Sequence, residues 1–187
     1  KGEIVKVIAV ANQKGGVGKT TTSVNLSTAL AAMEKRVLLI DLDPQGNATV
    51  SVGLQKGDLV ATAFELLVDQ QPLSEVATPL ESLGMDCVPA DGDLTAAEVA
   101  LLSLEDREQR LKTALQAGKL LYDFVIIDCP PSLNMLTLNA LVAADTVLIT
   151  MQCEYFALEG LSALMETINT VSQTVNPALR IEGILRT

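Results

Sequence analysis

The chain has 187 residues, of which 49% are hydrophobic, 3% are aromatic and none is histidine. Its formal net charge is −10 at pH 7. This length suits a single domain with an aliphatic core, the acidity disfavours broad contact with polyanions, and the lack of histidine excludes catalysis or metal ligation by imidazole.

Cysteine usage and hydropathy indicate the compartment. Cys87, Cys129 and Cys153 are far apart and form no CxxC pair, which indicates reduced thiols and disfavours a zinc site. No stretch approaches the ~20 apolar residues of a membrane span, and the first residues lack the layout of a signal peptide. We therefore expect a cytoplasmic protein that uses no membrane.

A glycine-rich segment follows the first apolar run. Residues 4–10 read IVKVIAV, residues 13–20 read QKGGVGKT, and a helical pattern begins at Thr20. A strand, a glycine-rich turn and a helix N-terminus together present backbone N–H groups and a positive dipole end to an anion. This order predicts a nucleotide phosphate loop, with Lys19 on the β- and γ-phosphates and the Thr20 hydroxyl on Mg²⁺. The residues expected to bind the nucleotide here are Gly15, Gly16, Val17, Gly18, Lys19, Thr20 and Thr21.

Aspartates follow two other predicted strands. Residues 37–40 read VLLI and lead to Asp41 and Asp43, while residues 124–127 read FVII and lead to Asp128. Because ligands bind at the carboxyl ends of parallel strands, we expect these carboxylates beside the phosphate loop. Asp128 fits a Walker B position, which supports Mg²⁺ through water; the alternative is that it caps the following helix.

The rest of the chain alternates helical and strand patterns, which predicts an α/β fold with a mostly parallel β-sheet and helices on both faces. Thr95 and Ser103 each precede an acidic residue by three positions, as in a capping box, and Gly118 suits a helix end. Residues 1–187 are thus expected to form one P-loop ATPase domain. Helices are also predicted over residues 20–33, 61–68, 73–77, 136–144 and 158–175, and strands over residues 85–89, 146–150 and 181–185.

The glycine-rich segment departs from the usual P-loop pattern. Gln13 stands where that pattern has glycine, and the following KGGVGKT resembles the deviant Walker A motif of the ParA/MinD family of ATPases, with Lys14 as the signature lysine. The string DPQGN at residues 43–47 is more typical of the partitioning proteins than of their MinD relatives. The similarity to ParA/Soj-type partitioning ATPases extends over residues 37–47, 124–132 and 152–160.

The resemblance implies an ATP-driven dimerisation switch that hydrolyses ATP to partition a chromosome or plasmid. In such proteins two subunits enclose two ATP molecules, and the signature lysine reaches the nucleotide across the interface. The resemblance therefore assigns nucleotide contact in trans and a catalytic role to Lys14, and orientation of the attacking water to Asp43. It assigns the Mg²⁺ ion to Thr20, Asp41 and Asp128.

The family continues past the strand at which this sequence stops. The resemblance therefore leads us to expect that the chain lacks a C-terminal portion, and that adenine recognition and non-specific DNA binding use residues beyond Thr187. It also implies a ParB-like activator and association with the nucleoid. The densest basic group is interleaved with acidic residues and is interpreted as a solvated helix face. This group consists of Arg107, Arg110, Lys112 and Lys119.

Other functions remain compatible with the same loop. A MinD-like membrane-cycling ATPase and an ATP-dependent synthetase, such as a dethiobiotin synthetase, stay open, although no substrate-binding residues of a synthetase are evident. An electron-transfer ATPase like the nitrogenase iron protein is disfavoured because Cys129 and Cys153 do not match its cysteine spacing. A GTPase is disfavoured because no Asn/Thr-Lys-x-Asp motif occurs.

Overall fold

The computed structural model of the chain describes residues 5–118, 121–153 and 157–187, with the backbone alone at 157–159. Parts of the sequence-based predictions fall on Ile4, Lys119 and residues 154–156 and lie outside the described residues. The strands are β1 (Lys6–Ala11), β2 (Val37–Asp41), β3 (Thr78–Leu80), β4 (Met85–Val88), β5 (Phe124–Asp128), β6 (Thr146–Met151) and β7 (Arg180–Arg186). The helices are α1 (Lys19–Ala32), α2 (Asn47–Ser51), α3 (Leu73–Val76), α4 (Leu94–Leu102), α5 (Arg110–Gly118), α6 (Met135–Ala143) and α7 (Ala157–Thr174).

The strands of the described residues form one sheet in the order β3-β4-β2-β5-β1-β6-β7. Every neighbouring pair is parallel except β3 with β4, which is antiparallel. The central strands are continuous apolar runs because both of their faces are covered, and all five residues of β2 are buried. The prediction of an α/β fold with a mostly parallel sheet is confirmed.

Two hydrophobic layers enclose the sheet. Helices α4, α5, α6 and α7 pack on one face, where residues such as Leu101, Leu136 and Leu164 are fully buried. Helices α1 and α2 pack on the other face against residues such as Val10 and Leu39. Because β1, β2 and β5 are central and parallel, their carboxyl ends lie side by side at one edge, where the chain turns into α1 and α2.

Some local predictions were wrong. Thr95 lies inside α4, whose first N–H groups are satisfied by the carbonyl oxygens of a tight turn at Asp91 and Gly92 rather than by a side chain. Ser103 follows the end of α4, and α5 begins only at Arg110. Strand β3 and helix α2 were not predicted, because elements of three and five residues are too short to show a periodic pattern.

Replacement of Ser27 by alanine is expected to stabilise the fold. Ser27 is fully buried in α1, and its hydroxyl has no hydrogen-bond partner among the described residues. Ser27→Ala removes this unsatisfied group and improves helix propensity, so the free energy of unfolding should rise by about 0.5–1 kcal/mol. Urea unfolding measures the change, with Ser172→Ala in α7 as the contrasting case, because the Ser172 hydroxyl is satisfied: it donates to the Asn169 carbonyl oxygen at 2.9 Å. A loss of stability in Ser27→Ala would contradict the expectation.

Candidate functional site

A cleft of about 540 Å³ opens at the carboxyl ends of the central strands. The turn from β1 into α1 forms one wall, and the left-handed φ angles of Gly16 (73°) and Gly18 (76°) permit its tight path. Gly18 also leaves room for Thr187, because a Cβ atom there would lie 3.1 Å from the Thr187 Cγ2 atom. The cleft is lined by Gly15, Gly16, Gly18, Lys19, Thr20, Thr21, Asp43, Gln45, Asn47, Ser51 and Pro131.

Side chains from the strand ends hold the glycine-rich turn in place. Asn12 Oδ1 accepts a hydrogen bond from the backbone N–H of Lys14 at 3.0 Å. Gln152 Nε2 donates to the carbonyl oxygen of Gly16 at 3.1 Å, and Thr187 Oγ1 donates to that of Val17, also at 3.1 Å. The sequence motif does not include these three anchors, which come from the ends of β1, β6 and β7. They fix the backbone whose N–H groups would face a phosphate.

Lys19 and Thr20 begin α1 at the floor of the turn. Lys19 is 7% exposed, and its Nζ atom donates to the carbonyl oxygen of Lys14 at 2.9 Å. Burial lowers the pKa of Lys19, while the nearby Asp128 opposes this shift. An ammonium group has three donors, so Lys19 retains donors that phosphate oxygens can accept. The Thr20 hydroxyl donates to Asp128 Oδ2 at 2.7 Å.

Two aspartates lie side by side beneath the cleft. Asp41 ends β2 and Asp128 ends β5, the two residues are register partners in the parallel pair, and both are fully buried. Burial raises the pKa of Asp41 to about 7, with a further contribution from Asp128. Burial also raises the pKa of Asp128 to about 6, against the hydrogen bonds from Thr20 and Ser23, which lower it. A cation bound close to this pair would favour its charged forms.

Hydroxyl groups from α1 and α2 support these carboxylates, and the sequence analysis missed them. Ser23 Oγ lies 2.9 Å from Asp128 Oδ1. Thr49 donates to Asp41 Oδ2 twice, from its hydroxyl at 2.7 Å and from its backbone N–H at 2.8 Å. Serine and threonine have no recognisable spacing relative to a distant aspartate, so only the folded chain identifies these pairs.

Asp43 stands at the edge of the cleft and is 8% exposed. Its backbone N–H donates to Asp41 Oδ1 at 3.1 Å, and its own Oδ1 atom accepts the backbone N–H of Gln45 at 2.9 Å. These bonds fix the turn that carries the Asp43 carboxylate opposite the glycine-rich wall. The structure thus brings together Lys19, Thr20, Asp41, Asp43 and Asp128, as expected from strand order.

The other predicted residues have different places. Val17 is buried, and in the described part of the chain neither it nor Lys14 lines the cleft. The backbone carbonyl oxygen of Lys14 accepts a hydrogen bond from Lys19 Nζ.

The chemistry of the Thr20 side chain fits Mg²⁺. The Thr20 hydroxyl donates a hydrogen bond to Asp128, so the lone pairs of its oxygen remain available to a hard cation. Within residues 5–118, 121–153 and 157–187, no group of three or more Cys, Asp or Glu side chains is arranged to hold a metal alone. Mg²⁺ commonly takes most of its ligands from phosphate and water, and a single hydroxyl ligand such as that of Thr20 is compatible with this habit.

Comparison with known proteins identifies the family. A family model described as an AAA domain matches residues 5–181. The sporulation initiation inhibitor protein Soj of Bacillus subtilis is 53% identical over 184 residues, which cover 97% of this chain and 72% of Soj. The chain belongs to the AAA domain family, as a ParA/Soj-type partitioning ATPase. The chromosome partitioning protein ParA of Caulobacter vibrioides is similar as well, at 49% identity over 185 residues, covering 98% of this chain and 69% of ParA.

A solved structure extends the ParA/Soj-type comparison to ligands and to a different function. Cobyrinic acid a,c-diamide synthase of Mycobacterium smegmatis, with a bound ATP analogue and magnesium, is 44% identical with a TM-score of 0.94. The match covers 98% of this chain and 75% of the synthase. The synthase thus holds, in an analogue and in magnesium, the two ligands that the sequence predicts for this chain. None of the helices in the described residues is both long and apolar enough to span a bilayer.

Gly46→Ala is expected to disrupt the turn that carries Asp43. Gly46 has a φ of 59°, and an added Cβ atom would lie 2.5 Å from the carbonyl oxygen of Ala90. Gly53, with φ of 93° and nothing within 4 Å of an added Cβ atom, provides the matched control for backbone strain alone. Gly46→Ala should lower the free energy of unfolding by at least about 1 kcal/mol more than Gly53→Ala does. Equal losses in urea unfolding would show that the approach of Ala90 is unimportant.

Proposed function

We propose that the chain binds ATP with Mg²⁺ in this cleft, hydrolyses it, and uses the cycle as a dimerisation switch in chromosome or plasmid partitioning. The observation that carries the proposal is the hydrogen bond from the Thr20 hydroxyl to the buried Asp128, next to Lys19 at the floor of a glycine-lined cleft. This arrangement joins a phosphate-binding loop to a carboxylate that can support a metal ion. Membership of the ParA/Soj type supports the partitioning role.

The proposed roles follow the chemistry of phosphoryl transfer. Lys19 and the amides of the glycine-rich turn hold the phosphates, and Thr20 ligates Mg²⁺, whose charge would neutralise the phosphate oxygens. Asp41 and Asp128 hold the water shell of the ion from the buried side. Asp43 orients the attacking water, for which its place at the cleft edge is suitable. Lys14 contacts the nucleotide bound to the second subunit.

We further propose that residues 1–187 act as one ATPase domain, and that a ParB-like protein and nucleoid DNA are its partners. The group of basic residues around α5 is a poor candidate for DNA binding. Arg110 donates to the carbonyl oxygens of Leu67 and Val68 at 2.9 and 2.6 Å, and Arg107 donates to that of Leu102 at 3.1 Å. The guanidinium group of Arg110 is therefore engaged in holding the fold. We place the DNA surface elsewhere in the protein.

An ATP-dependent synthetase is the second candidate function. The specific observation in its favour is the 44% identity to the cobyrinic acid synthase of Mycobacterium smegmatis. A MinD-like membrane cycle is the third. ATPase rates measured with double-stranded DNA, with liposomes and with small carboxylic acids separate the three: stimulation by DNA supports partitioning, whereas ATP consumption that depends on an acid would establish the synthetase.

Two substitutions separate ATP binding from hydrolysis. Lys19→Ala removes the ammonium group expected to contact the phosphates and should abolish ATP binding. Titration calorimetry measures the affinity, and the control variant Lys35→Ala, which changes an exposed lysine, should bind ATP normally. Asp43→Ala should retain ATP but stop turnover, because the attacking water loses its orienting group. Unchanged affinity in Lys19→Ala would refute the phosphate loop, and a parental rate in Asp43→Ala would refute the role of that carboxylate.

Mixed dimers test whether Lys14 acts across the subunit interface. Lys14→Ala alone should lower turnover by roughly 10³-fold, as removal of a charge supplied in trans does. A dimer of one Lys14→Ala chain and one Asp43→Ala chain holds one site in which Asp43 in cis and Lys14 in trans are both intact. Activity should therefore return on mixing. Failure to return, once mixed dimers are demonstrated, would place Lys14 in its own subunit's site.

A further inference from the structure

We infer that Thr49 is a positioning residue for ATP hydrolysis, which holds the Asp41 carboxylate and, through it, the backbone of Asp43. The inference rests on the ATPase function proposed above. Thr49 is fully buried in α2 and does not line the cleft in the described part of the chain. It therefore acts through other groups rather than on the nucleotide.

The direction of the Thr49 hydroxyl is fixed by its neighbours. Its Oγ1 atom accepts the backbone N–H of Ala90 at 2.8 Å. Because a hydroxyl has a single proton, that proton is left for Asp41 Oδ2, 2.7 Å away. The backbone N–H of Thr49 donates to the same oxygen at 2.8 Å. One residue thus supplies two donors to one oxygen of a fully desolvated carboxylate.

The other oxygen of the Asp41 carboxylate holds the turn that carries Asp43. Asp41 Oδ1 accepts the backbone N–H of Asp43 at 3.1 Å. From there the chain closes a turn, in which Gly46 N–H donates to the Asp43 carbonyl oxygen at 2.8 Å, and then enters α2. The turn is consequently attached to Asp41 at its start by Asp43 and after its end by Thr49. A rotation of the carboxylate would move Asp43 relative to the cleft.

Ala90 connects this turn to the sheet. Its N–H bonds to Thr49, and its carbonyl oxygen approaches Gly46 so closely that an added Cβ atom would lie 2.5 Å away. Ala90 is fully buried two residues after β4, which pairs with β2 on one side and β3 on the other. Thr49 therefore links two strands to the segment that carries Asp43. A displacement of about 1 Å in a positioning group can cost about 10²-fold in rate.

A matched pair of threonines provides the experiment. Thr62 is also buried, at 5% exposure, and its hydroxyl likewise bonds to a carboxylate and a backbone N–H: it donates to Glu65 Oε2 at 2.9 Å and accepts from Phe64 at 3.1 Å. In the full chain, Thr49→Val should lower kcat about 10- to 100-fold with ATP affinity within about 2-fold of the parent. Thr49→Ser should restore turnover, and Thr62→Val should lose comparable stability with kcat unchanged.

The outcomes separate this inference from the proposed function. A parental kcat in Thr49→Val, or a Thr49→Ser chain as slow as Thr49→Val, overturns the inference and leaves the ATPase function in place. An equal loss of ATP affinity and kcat also overturns it, because positioning would then serve binding. If Thr49→Val does not fold, Thr49→Cys takes its place, since a thiol is a weak donor, with the same criteria. A parental protein that includes the residues expected to recognise adenine and still hydrolyses no ATP overturns both proposals.

Discussion

Two carboxylates buried side by side constrain the whole site. Asp41 and Asp128 end neighbouring parallel strands at the same register, so the sheet itself brings two ionisable carboxyl groups together away from water. An unpaired charge in such a place is strongly destabilising. Hydroxyl and amide donors of the surrounding structure bond to both groups, and the charge of the nearby Lys19 favours the ionised form of Asp128.

These donors determine where the functional segments lie. Asp128 is bonded by Thr20 and Ser23, which lie in the first two turns of the helix after the glycine-rich turn. Asp41 is bonded by Asp43 and Thr49, which lie before and within α2. The phosphate-binding segment and the segment with the proposed hydrolytic residue are therefore each attached to one aspartate. Their relative positions follow from a single strand pair, which suits a reaction that depends on alignment of nucleophile and phosphate.

The motif residues were predictable because each has a local signal. Glycines at 15, 16 and 18 followed by Lys19 and Thr20 mark the loop, and apolar runs that end in aspartate mark the buried strands. The short elements were not predictable, since β3 and α2 are too short for a period to repeat recognisably. The first turn of α4 uses main-chain carbonyl oxygens in place of the predicted Thr95 cap. The anchors Gln152 and Thr187 lack a local signal because each bonds to a backbone group 136 or 170 residues away, and Asn12, which bonds to the nearby N–H of Lys14, is itself held by the Thr150 carbonyl oxygen across 138 residues.

The sequence by itself determined the α/β class, the phosphate loop and the family resemblance, because residue type and spacing along one segment are enough to specify each of them. Only the tertiary structure decided which hydroxyl serves which carboxylate and how the loop is anchored. Ser23 and Asp128 are 105 residues apart, and Thr49 meets Ala90 across 41 residues. Such pairs form when the sheet order brings strand ends together, and strand order depends on the packing of the entire chain rather than on any local pattern.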